Sequence, residues 1–146
     1  MRASKFAAAI LGAALTWGAV TFVYPAEKQA PVRFDLGKRE YDSKCAVCHG
    51  GAGRGDGPYA GLLNVKIADL TSLAQRNHGV FPVLRVYEVI DGRRNFQAHG
   101  PSEMPIWGLY YLARSREFSM DPFEAEAYIR TRILALTEYI YRLQAK

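Results

Sequence analysis

The chain has 146 residues and a mass of 16.3 kDa, and 49% of its residues are hydrophobic and 23% charged. That is the size and balance of one folded domain, and it excludes an intrinsically disordered chain or a long coiled coil. The net charge of +5 falls to +3 beyond Arg2 and Lys5, and no basic run exceeds the pairs Lys38-Arg39 and Arg93-Arg94, which excludes a nucleic-acid footprint.

The chain begins Met-Arg-Ala-Ser-Lys, and residues 6–24 then carry no charge while including Ile10, Leu11, Leu15, Val20, Phe22 and Val23. A short basic start before an apolar stretch reads as an export signal. Its apolar length lies between a secretory core of about 7–15 residues and a spanning helix of about 20. Removal after export and retention as a single N-terminal membrane anchor both stay open, and residues 1–24 are assigned to that segment. Residues 25–31, Pro-Ala-Glu-Lys-Gln-Ala-Pro, form a polar linker, which leaves 32–146 as the folded domain.

Within that domain, residues 34–49 carry a helix stopped by Gly50-Gly51. Residues 50–61 contain six glycines and a proline and can only be loop. In residues 82–92 the polar positions Arg85, Glu88 and Asp91 recur every three, a helical period, with Pro82 before and Gly92 after it. Residues 109–120 read as a connection rich in aromatic residues. Asp121-Pro122-Phe123-Glu124 is a capping-box start, after which Ile129, Ile133, Leu136, Ile140 and Leu143 step by three and four along one face. No segment alternates as a strand would. The expected fold is all-α: three to five short helices joined by long loops, around something other than side chains.

Both cysteines of the chain stand in Cys45-Ala46-Val47-Cys48-His49, the C-x-x-C-H haem attachment signature. On a helix Cys45 and Cys48 share a side, so each thiol can add to one vinyl group of a haem while His49 offers a ring nitrogen to the iron. A domain this small has little apolar interior, and a tethered porphyrin supplies one. The competing readings are a redox dithiol, a zinc site completed by His78 or His99, and a strained local disulfide. For the second iron ligand the residues themselves offer Met104, Met120, His78, His99 or none. Pro105 biases Met104 to extended backbone, and a thioether would raise the potential relative to a second imidazole.

Over roughly residues 34–144 the chain resembles the class I c-type cytochromes. Gly37 and Tyr41 ahead of Cys45 are similar to the family's glycine and aromatic on its N-terminal helix, and Leu136 with Tyr139 to the C-terminal pair that packs there. Gly57-Pro58 looks like the family's glycine-proline, and the resemblance implies that the Pro58 carbonyl accepts the His49 Nδ1–H. Met104-Pro105 in a loop before the last helix matches the family's distal ligand, so Met104 is implied as the second metal ligand beside His49. The implied fold is a cytochrome c-like helical domain around one covalently attached haem c. Residues 109–120 are longer than the connection in compact members.

The function expected from this is a mono-haem electron carrier and not an enzyme, working between electron-donor and electron-acceptor proteins on the periplasmic side of the inner membrane, either soluble or tethered by residues 6–24. The alternatives are a haem subunit of a dehydrogenase or terminal oxidase, with Tyr110, Tyr111 and Phe118 facing a partner, and a five-coordinate gas-binding or peroxidatic haem protein with His99 as a distal group. Lys38, Arg39, Lys44 and Arg54 are candidate rim charges for an acidic partner. Trp107, Tyr59, Arg93 and Arg94 are candidate donors to the haem propionates.

Overall fold

The structure, a computed structural model, describes residues 34–94 and 104–145. The leader, the linker and His99 lie outside the described residues. The described part of the unit spanning Arg33–Lys146 is helical, with no strand among the described residues. In chain order come α1 (Leu36–Lys44), α2 (Ala46–His49), α3 (Leu73–Arg76), α4 (Val83–Asp91), α5 (Trp107–Glu117) and α6 (Pro122–Arg142), with 3-10 turns at Ala60–Leu62 and Leu70–Ser72.

The longest element, α6, organises the rest. Asp121 accepts hydrogen bonds from the Phe123 and Glu124 amides at 2.8 and 2.9 Å, and Glu124 closes a capping box with the Asp121 amide at 3.0 Å. In that box the Asp121 amide is the donor and the Glu124 carboxylate the acceptor, and with Pro122 in the first turn the start of the helix is fixed without help from packing. Its stripe Ile129, Ile133, Leu136 and Ile140 is buried, and α1, α4 and α5 all pack on it.

α1 crosses α6 where a side chain has been given up. A Cβ on Gly37 would stand 2.1 Å from the Ala135 carbonyl oxygen and 2.9 Å from the Tyr139 Cβ, so any other residue would push the helices apart. One turn later Tyr41, fully buried, meets Tyr139 with ring centroids 5.0 Å apart. Asp35 caps α1 through the Lys38 amide and also pairs with Arg142 at 2.8 Å, tying the start of α1 to the end of α6.

Residues 109–120 are not an open connection: most of them belong to α5. Its buried positions are Gly108, Tyr111 and Ser115, which step by three and four as a helix requires. They carry no aliphatic side chain, so the period is invisible to a count of apolar residues. The helix expected at residues 34–49 is interrupted at Cys45, which turns the chain between α1 and α2.

Candidate haem site

α2 is a single turn, and a turn that short does not hold itself together. Its C-terminal carbonyls have no partner within the helix, and the glycine-rich loop supplies them: the amides of Tyr59, Gly57 and Gly55 donate to the carbonyls of Val47, Cys48 and His49 at 2.9, 3.1 and 2.8 Å. Such closeness requires glycine at position 57, where a Cβ would stand 2.5 Å from the Val47 oxygen and 2.6 Å from the Ala46 oxygen. The buried Tyr41 hydroxyl adds a 2.7 Å bond to the Gly50 carbonyl. The loop is therefore the frame on which the attachment motif is mounted.

Cys45, Cys48, His49 and Met104 all line one cavity of about 620 Å³, within the size range of small-molecule and cofactor sites. Val47, Leu63, Val65, Ile67 and Trp107 supply much of the remaining wall. Met104 comes from the segment before α5 and is partly buried against the core. Both thiols are free. Cys45 is 6% exposed, and burial pushes its thiol up to about 12. It is a neutral thiol at physiological pH, unlike the low-pKa cysteine on which a dithiol oxidoreductase depends.

The His49 Nδ1 lies 3.0 Å from the carbonyl oxygen of Ala68. A carbonyl only accepts, so Nδ1–H is the donor, which in the neutral ring leaves the Nε2 lone pair for a metal. This corrects the sequence expectation, which gave that role to the Pro58 carbonyl. Pro58 is exposed and sits between the two amides, Gly57 and Tyr59, that bond α2. Its segment is thereby committed to the α2 backbone, and the returning chain at Ala68 reaches the imidazole instead. A backbone acceptor carries no residue-type signature, so Ala68 could not be read from the sequence.

Among the other expected residues, Trp107 and Tyr59 line the cavity and Arg93 and Arg94 do not. The Arg93 guanidinium is held by Asp91 at 2.5 Å and Glu126 at 2.8 Å, beside a separate groove between α4 and α6. His78 and Met120 do not line the cavity either. No cluster of three or more His, Cys, Asp or Glu suited to a bare metal ion occurs among the described residues, which removes His78 as a zinc partner for the motif.

The donor set fits a covalently held porphyrin: two free thiols, an imidazole with its Nδ1 held by a backbone carbonyl, a thioether, and apolar walls for a flat ring. The family model for cytochrome c matches residues 34–113, more than half of the chain, and the chain belongs to the cytochrome c family. Its members are electron carriers that bind covalently attached haem c. No curated protein and no solved structure matches the chain.

Proposed function

We propose that Cys45 and Cys48 attach one haem c, that His49 and Met104 ligate its iron, and that the protein passes single electrons between donor and acceptor proteins on the periplasmic side of the inner membrane, with residues 6–24 serving as export signal or anchor. What carries this reading is the convergence of the two free thiols, the Nδ1-protonated imidazole and the Met104 thioether on one largely apolar cavity. A haem so held supplies an iron that gains and loses one electron while keeping its ligands.

The chain's own contribution is to keep those ligands still. Ala68 holds the proton on Nδ1 and so keeps the ring in one orientation and tautomer. The loop amides hold α2, and with it both cysteines, in register. Val47, Leu63, Val65 and Ile67 line the cavity, and packed against a bound porphyrin they would exclude water and reduce the solvent reorganisation that accompanies a change of charge.

Replacing Met104 by alanine tests the ligand assignment. The reduced variant should bind carbon monoxide and its midpoint potential should fall, whereas the native reduced protein should do neither. Ready carbon monoxide binding by the native protein would place it among five-coordinate haem proteins. One observation favours a permanent place in a larger complex: Tyr110 and Phe118 on the α5 side are 43% and 56% exposed, a surface suited to a haem subunit of a dehydrogenase or oxidase, whereas Tyr111, expected beside them, is 1% exposed and bonds Glu40 in the core.

A further inference from the structure

A second groove, of about 670 Å³, is walled by α1, α5 and α6. Four cations line it, Arg39, Lys44, Arg114 and Arg132, against Glu40 in the lining and Glu117, which pairs with Arg114 from the next turn of α5. Glu40 is 5% exposed and is engaged by Lys44 at 2.7 Å, Tyr111 at 2.7 Å and Arg132 at 2.5 Å. It presents little negative charge outward, and four cations against these two carboxylates leave the groove with an excess of positive charge.

Each cation lies over an aromatic face. The distances to ring centroids are 5.6 Å for Arg39 over Phe34, 5.4 Å for Lys44 over Tyr110, 5.4 Å for Arg114 over Phe118 and 4.8 Å for Arg132 over Tyr128. Stacking restrains a guanidinium while leaving N–H edges for a carboxylate fork, so less side-chain entropy is lost when an anion binds. Phe34, Tyr110 and Phe118 are themselves 64%, 43% and 56% exposed, and such rings gain from being covered. Among the described residues Arg39 meets no carboxylate within ion-pair reach.

We propose that this groove docks an acidic segment of a partner protein, with carboxylates on Arg39 and on the guanidinium edge of Arg114 that Glu117 leaves open, and an apolar side chain against Tyr110 and Phe118. Tyr59 and Leu63 line the haem cavity and not this groove. Ser43 and Lys44 line both the groove and the haem cavity, so a segment held here brings its protein alongside that cavity. The inference rests on the carrier reading in taking that partner to be a redox protein.

The test is a titration of isotope-labelled holoprotein, followed by NMR, with a synthetic peptide alternating Glu and Phe, and with its Gln and Phe counterpart. Shifts should concentrate on Arg39, Tyr110, Arg114 and Phe118, and the Gln peptide should not bind. The double variant Arg39→Glu, Arg114→Glu should weaken binding by roughly tenfold or more with the haem spectrum unchanged. Arg54→Glu, in the glycine-rich loop, should change it by less than about twofold, as expected for a charge away from the contact. Shifts gathered at Tyr59 and Leu63, equal binding of the Gln peptide, or tighter binding of phosphatidylglycerol vesicles at the same residues would each overturn the proposal. The titration reads association and not electron flow: peptide binding in the groove by a protein whose native haem takes up carbon monoxide would sink the carrier reading and leave the docking surface standing.

Discussion

Glu40 is the residue on which three helices depend. Burial alone would push its carboxyl up, but hydrogen bonds from Lys44 and Tyr111 and the Arg132 guanidinium outweigh burial and hold it below the ordinary glutamate value. A carboxyl depressed in the native state contributes stability that is complete above its unfolded value of about 4.3 and is lost as the pH falls through the native value. Glu40→Gln keeps the shape and removes the charge, leaving Lys44 and Arg132 uncompensated. It should lower unfolding free energy by about 2–4 kcal/mol at neutral pH, and the deficit should shrink in acid; equal stability at pH 7 by denaturant titration would show that the cluster is incidental. The sequence does not announce this cluster, because Glu40, Tyr111 and Arg132 are far apart along it. The attachment motif lies at the other extreme: five consecutive residues identify its chemistry, whereas the acceptor for His49 is a main-chain oxygen and leaves no trace in the residue types.

At the scale of elements, legibility follows how each helix is built. α6 is written in its capping box and aliphatic stripe, and α4 in the three-residue period of its polar side chains, so both could be read to within a residue or two. α5 could not, because its inner face is made of Gly108, Tyr111 and Ser115 and is recognisable only once Tyr111 is seen to bond Glu40 on α1. Gly37 could be noticed in the sequence, but only the contact with the Ala135 carbonyl gives it a magnitude. Gly37→Ala should destabilise the holoprotein by about 1–3 kcal/mol, the range for overpacking, despite alanine's better helix propensity. An alanine variant as stable as the native protein in thermal unfolding would mean that α1 and α6 can separate at little cost.

Among the described residues of the folded unit, the start of α1 and the end of α6 meet, and the C-terminal segment returns to the middle of the chain. Asp35 joins Arg142, and the Ala145 amide bonds the Thr71 carbonyl at 2.8 Å. The motif is mounted inside this frame rather than on an arm, as suits a centre whose neighbours should not move during electron transfer. No helix among the described residues is long and apolar enough to cross a membrane, and residues 6–24 lie outside them. If that segment is retained as an anchor, the haem protein should stay with membranes through a high-salt wash, and if it is removed after export, the wash should release it. Everything proposed for the site depends on a thioether and an imidazole together holding the iron. Near-infrared absorption of the oxidised protein tests this most directly: the account predicts a sulfur-to-iron charge-transfer band that is present in the native protein and lost in Met104→Ala. A native spectrum without that band, or a band that survives the substitution, would contradict it.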